Sequence, residues 1–214
     1  MGINVYEKGK GTPPQVGYES ILKPFHSKMK LSNTYKPLIG GSEIFPYELN
    51  WKGGFINYGR WIAAPRTSNW FEEIPRIVVR EVTSKGKIFS TIITDEIVFS
   101  NSVDGIRSKD NDLNSLKFLL GILNSSFASY YHLKSSANSQ KDSFPKVLLR
   151  DLREFPFPII EAQQQLPFIT FVDKILSAKE DNSKADTTAW EKEIDALVYQ
   201  LYGLTEEEVN IIEN

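Results

Sequence analysis

From Leu116 onward the apolar residues Leu116, Leu119, Leu120, Leu123, Phe127 and Tyr130 recur at steps of three and four. That spacing puts them on one face of a helix of about five turns, expected over residues 115–133. A helix with one apolar face needs a partner surface, so the segment commits the chain to a packed core. The partner is legible upstream. Arg76-Ile-Val-Val-Arg-Glu-Val82 is rich in β-branched residues and reads as a strand. Thr83-Ser84-Lys85-Gly86 then reads as a hairpin loop, Lys87–Ile93 as the returning strand and Ile97-Val98-Phe99 as a third. Downstream come a polar loop, Lys134–Ser143, a short strand within Phe144–Leu152, and the closing Phe155-Pro156-Phe157-Pro158.

The remainder reads as helical. Pro167 suits a first turn, and Phe168, Phe171, Val172, Ile175 and Leu176 share a face. After a polar linker, Lys179–Asp186, the capping box Thr188-Ala-Trp-Glu191 opens a helix carrying Trp190, Ile194, Leu197, Val198 and Leu201. Gly203 is placed to end it, and Thr205-Glu-Glu-Glu208 opens a last short helix with Val209 and Ile212. At the other end, residues 1–34 look irregular. Gly9-Lys-Gly-Thr-Pro-Pro14 is a loop without the Gly-Lys-Ser/Thr ending of a phosphate loop. The ordered body begins near Tyr35, and Leu49–Gly59 reads as two short strands around Lys52-Gly53-Gly54. Gly2-Ile-Asn-Val-Tyr6 reads as mid-domain sequence, so the chain is expected to be part of a longer one with Met1 added. The expected fold is α+β: a small twisted antiparallel sheet packed with the 115–133 helix in residues 1–158, then a C-terminal helical subdomain, 159–214.

A hydrophobic content of 41% over 214 residues suffices for one good core or a core with an appendage. No apolar run approaches 18 residues, and the first twenty contain no apolar signal-peptide region. The chain has no cysteine, which excludes disulfides and zinc–thiolate sites. The reading is a soluble cytoplasmic protein with no membrane contact. Charge is distributed unevenly. Residues 1–160 carry 21 Lys and Arg against 15 Asp and Glu, a net of +6, whereas residues 161–214 carry 4 against 12, a net of −8. A basic body with an acidic tail suits nucleic-acid binding by the body; equally, it describes a solvated Glu-rich helical tail.

Catalytic patterns are missing. There is no glycine-rich loop for a methyl donor and no Asn/Asp-Pro-Pro-Tyr/Phe to grip a flipped adenine. Glu72-Glu73 and Asp95-Glu96, the adjacent acidic pairs before the tail, have no lysine two residues on, as a metal-dependent nuclease site would. His26 and His132 are far apart in sequence, and no Gly-x-Ser-x-Gly elbow occurs.

Several words of the sequence stand together: Gly40-Gly41-Ser42-Glu43-Ile44, Leu49-Asn50-Trp51, Tyr58-Gly59-Arg60-Trp61, Leu119-Leu-Gly-Ile-Leu-Asn-Ser-Ser126, Tyr130-Tyr-His-Leu133, and Phe144–Leu152 followed by Phe155-Pro-Phe-Pro158. This succession resembles the TaqI-like specificity domain, the DNA-target-recognition module of type II restriction–modification enzymes that methylate adenine. The resemblance runs from about residue 35 to the C-terminus, and more loosely to residue 1. It implies the recognition half of a type IIG restriction–modification enzyme or N6-adenine DNA methyltransferase. Such a module contacts double-stranded DNA through the major groove. Methylation and cleavage belong to upstream methyltransferase and nuclease domains, with S-adenosylmethionine and Mg²⁺ needed only there and no cofactor in this chain. Phe157–Gln164 is also similar to the segment leading into the spacer helix of type I specificity subunits, but one body with one short helical tail fits the type IIG pattern better. Two rivals from other classes are a protein-interaction module docking through its acidic tail and a complete enzyme with an unrecognised site.

Within that resemblance, the residues expected to face DNA are the loop cations interleaved with aromatics: Lys52, Arg60, Arg66, Arg80, Lys85, Lys87, Lys134, Lys141 and Lys146. Lysines would mainly neutralise phosphates, an Arg can grip guanine, and Asn57, Asn69, Asn138 or Gln140 could pair with adenine. Trp51, Tyr58, Trp61 and Trp70 are more often loop or core anchors than base-stacking platforms.

Overall fold

The structure, a computed structural model, describes residues 1–67, 69–83, 86–139 and 145–214. In chain order its strands are β1 (His26–Ser27), β2 (Tyr35–Ile39), β3 (Ile44–Phe45), β4 (Glu48–Leu49), β5 (Phe55–Asn57), β6 (Arg76–Arg80), β7 (Ser90–Ile93), β8 (Val98–Phe99) and β9 (Val103–Ile106). Its helices are α1 (Glu19–Leu22), α2 (Leu113–Asn124), α3 (Ser126–Ser135), α4 (Leu149–Glu154), α5 (Ala162–Asp181), α6 (Thr188–Tyr202) and α7 (Glu206–Glu213). The α+β class is as expected, but the sheet is divided. One antiparallel sheet runs β7-β6-β9, a second runs β1-β5-β2-β8, and β3-β4 form a separate ribbon.

The division corrects two expectations. The third strand beside β6 and β7 is β9, whereas Val98–Phe99 joins the second sheet and lies parallel to Leu38–Ile39. The strands flanking Lys52-Gly53-Gly54 are not a hairpin either. Leu49 pairs with Ile44 in the ribbon, and Phe55 pairs with Ser27 and Pro37.

Strand β6 explains the layering. Successive strand side chains point to opposite faces, and here both faces are buried. Ile77 and Val79 join the core beneath the helices, while Val78 joins a second core with Ile39, Ile56, Val98 and Phe99. Helix α2 lies between the β6–β7 surface and the C-terminal helices α5 and α6. Covered on both sides, it buries Phe118, Gly121 and Ile122 as well as the expected Leu116, Leu120 and Leu123. Its one charged residue, Lys117, reaches Asp173 of α5 at 2.6 Å. A Cβ built on Gly121 would lie 3.3 Å from Val172 and 3.6 Å from Ile194, so this glycine sets the close approach of three helices.

The expected five-turn helix is broken at Ser125, whose backbone is extended (φ −67°, ψ 157°). Its hydroxyl oxygen accepts from the Ala128 N–H at 3.1 Å, so Ser125 caps a new helix rather than continuing the old one. Asp195 of α6 reinforces the break by accepting from both the N–H and the hydroxyl of Ser126, each at 2.8 Å. Within 144–152, where a short strand was expected, residues 149–152 belong to α4; among the described residues of that segment Lys146 makes a β-bridge, to Val82. In the tail, α5 starts at Ala162, which puts Pro167 in its second turn rather than its first. Thr187, not Thr188, is the N-cap of α6, and its hydroxyl donates to Glu191. The Thr205–Glu208 box and the left-handed Gly203 (φ +66°) stand as expected. Phe168, Val172, Ile175, Ile194 and Val198 share one core with Leu120 and Leu123, so the helical tail is packed on the body. Among the described residues no helix is long and apolar enough to cross a membrane.

Candidate nucleic-acid interface

The hairpin loop after β6 is tied at its base to the segment that follows α3. Val147 N–H donates to Glu81 O at 2.8 Å, Thr83 N–H to Pro145 O at 2.9 Å, and Lys146 Nζ meets the Glu81 carboxylate at 3.1 Å. The returning arm rests on α3 itself: Ile88 N–H donates to Ser129 Oγ at 3.2 Å, and Gly86 lies against Leu133. On the α3 side, Ser136 Oγ donates to Asp151 Oδ2 at 3.1 Å, and Leu148 N–H donates to the same oxygen at 2.8 Å. His132, buried beside Asp151 at 3.8 Å, completes that anchor; burial lowers its pKa, opposed by the carboxylate. Two chain segments far apart in sequence are thereby braced side by side.

The nine cations nominated from sequence are not brought together on one surface. Lys87, on the returning arm, and Lys134, on α3, are exposed beside the brace, Lys134 with its ammonium 5.4 Å from the Tyr130 ring. Lys85, Lys141 and the nominated Gln140 lie outside the described residues. Lys146 belongs to the brace through Glu81. Arg80, at the end of β6, sits 5.3 Å over the Phe89 ring, and Phe89 stacks on the partly exposed Phe45 at 6.3 Å. Lys52 is exposed on the loop after β4, its N–H donating to Glu43 Oε1 at 2.8 Å. Arg60 and Arg66 stand apart, near the N-terminal segment: Arg60 O accepts from Thr12 N–H, and the Arg66 guanidinium donates twice to Gly2 O. Among the described residues, Lys52, Arg60, Arg80, Lys87 and Lys134 have no carboxylate partner.

The amides divide similarly. Asn69 donates to Glu73 at 3.2 Å, Asn57 has a buried carbonyl oxygen without a partner among the described residues, and Asn138 lies beside the brace, its carbonyl 3.4 Å from Lys146 N. All four nominated aromatics are anchors. Trp51 donates to Leu38 O and Gly54 O, Trp61 to Asn57 O and Tyr58 to Arg66 O, while Trp70 lies beside the buried Arg76 guanidinium at 5.4 Å. Tyr6 meets His26 at 2.9 Å, and no group of three His, Cys, Asp or Glu is placed to hold a metal among the described residues.

Sequence reasoning did not single out Phe45, Phe89, Glu81 or Asp151. Strand alternation could have paired Phe89 with Arg80 across β6 and its returning arm. Glu81 and Asp151 carried no such signal, because their partners are 65 and 15 residues away.

The model of the TaqI-like C-terminal specificity domain family matches residues 36–157, more than half the chain. The chain belongs to this family. Apart from β1 and Tyr35, the match covers both sheets, the brace and the helix break at Ser125. Over 215 residues the specificity-domain chain is also 28% identical to a protein of Methanocaldococcus jannaschii named as a type II restriction enzyme and methyltransferase. That alignment takes in 92% of this chain and 17% of the relative. A solved type IIL restriction–modification enzyme, MmeI in complex with DNA, shares the fold with a TM-score of 0.62 at 10% identity, over 96% of this chain and 33% of that one. The chain thus spans a small part of the length of the larger proteins it matches.

Proposed function

We propose that this chain is the target-recognition module of a type II restriction–modification protein and binds double-stranded DNA sequence-specifically. The observation that carries the reading is the brace: a member of the specificity-domain family exposes beside it Lys87 and Lys134, which among the described residues have no carboxylate partner. Lys87 and Lys134 serve phosphates, giving affinity and register without sequence information, while Arg80 is suited to a base edge. Arg66 and Lys146, already bonded within the chain, act as supports rather than contacts.

In this reading N6-adenine methyl transfer, and any cleavage, belong to other parts of the parent protein, as do S-adenosylmethionine and Mg²⁺. The type II relative and the type IIL neighbour favour a type II assignment over a type I specificity subunit. Tyr18, Ile21, Leu22, Met29 and Leu31 form an exposed apolar stretch that supports contact with a methyltransferase domain of the parent. The test is fluorescence anisotropy with a labelled random duplex pool at two salt concentrations. Salt-sensitive binding that weakens in Lys87→Ala, with the slope of log K against log salt smaller by about 0.9, supports the proposal. Salt-independent or absent binding overturns it.

A further inference from the structure

We infer that Arg80 reads a guanine, and that Phe89, backed by Phe45, is the positioning residue that holds it ready; this rests on the DNA-binding reading above. Arg80 is half-buried at the end of β6, with its guanidinium carbon 5.3 Å over the Phe89 ring. Phe89 in turn stacks on Phe45 with the two ring planes 29° apart. The stem of Arg80 runs past Gly41, where a Cβ would come within 3.2 Å of Arg80 Cγ and 3.0 Å of Ser102 O. The glycine therefore leaves the room that the arginine uses.

Nearby carboxylates that could neutralise Arg80 are engaged elsewhere. Glu81 meets Lys146, and Glu43 accepts from the N–H groups of Gly40 and Lys52, each at 2.8 Å. Other arginines show the contrast: Arg66 donates to Gly2 O, Arg76 to Trp70 O and Glu73 O, and Arg107 to Glu73. Among the described residues Arg80 has no such acceptor. An aromatic ring covering one face of a guanidinium leaves its in-plane N–H donors free and restricts its rotamers, so less entropy is lost when those donors bind. The planar fork matches the O6 and N7 acceptors of guanine in the major groove, a pattern that no other base presents. Lysine at the same position would keep the charge and lose the fork.

The experiment is selection and sequencing from a randomised duplex pool, with wild type, Arg80→Lys, Phe89→Leu and Phe89→Tyr, each first matched for melting temperature and far-UV dichroism. The wild type should enrich a consensus with a G·C column. Arg80→Lys should flatten that column, losing roughly 5- to 150-fold in preference there while keeping the wild-type salt slope. Phe89→Leu should weaken the same column, and Phe89→Tyr, which retains a ring, should restore it. A consensus unchanged in Arg80→Lys, or a lost column other than G·C, overturns this inference and leaves the DNA-binding reading standing. A wild type that enriches nothing and shows no salt-sensitive capture overturns both.

Discussion

Replacing Ile194 with alanine measures how far the acidic helical tail belongs to the body. Ile194 is 1% exposed in the core shared by α2, α5 and α6, with its Cγ2 3.6 Å from where a Gly121 Cβ would stand. The substitution deletes three carbons, about 0.8 kcal/mol each in lost burial, or roughly 2.4 kcal/mol. Three packed helices can collapse only partly into the space, so the cavity raises the cost toward about 3–5 kcal/mol. For a chain of this length each kcal/mol moves the melting temperature by roughly 2–4 °C, so a drop of at least 6 °C is expected. Urea unfolding followed by both tryptophan fluorescence and far-UV dichroism would check it. Both probes should report one transition, moved to lower denaturant with an unchanged slope. A loss below about 1 kcal/mol, or two separate transitions, would mean that the tail folds independently of the body.

Asp195→Ala removes two hydrogen bonds that start α3 and should cost about 1–2 kcal/mol, read from the same urea curves. Burial raises the pKa of Asp195, against the two Ser126 hydrogen bonds, so the folded state holds this proton more tightly than the unfolded chain. Its contribution to stability is full below the ordinary carboxylate pKa and is lost as pH rises through the raised one; Asp195→Asn should abolish that component of a stability–pH profile. Ser125→Ala removes the hydroxyl that caps α3 and should lower stability by about 1 kcal/mol by thermal melting. Incubation with labelled S-adenosylmethionine and mixed-sequence duplex should leave the DNA unlabelled; donor-dependent labelling would place a catalytic site within these 214 residues.

The elements with strong local signals were legible: β6 from its β-branched run, the α6–α7 junction from Gly203 and the Thr205 box, and the buried faces of α5 and α6 from their spacing. The broken helix was not. Residues 116–130 keep helical spacing across Ser125, and the break depends on Asp195, 69 residues away in sequence, claiming the donors of Ser126. The partner of β6 was misassigned for a related reason. Val98–Phe99 and Val103–Ile106 both suit a buried strand, and their distribution between sheets is decided by tertiary packing on the second core. For the candidate interface, residue type nominated the cations, but only the fold separates Arg66 and Lys146, bonded inward, from Arg80 and Lys87. The brace joining residues 81–83 to 145–147 is a long-range pairing without a local signature.

Photocrosslinking to duplex DNA carrying bromodeoxyuridine at scattered positions, read by mass spectrometry, tests the central claim most directly. Crosslinked peptides should come from residues 41–52, from β6 through the returning arm at 76–89, and from the segment 130–147, and they should diminish as salt is raised. Crosslinks concentrated in α5–α7, or none above those of a non-binding control protein, would contradict the assignment of this face to DNA.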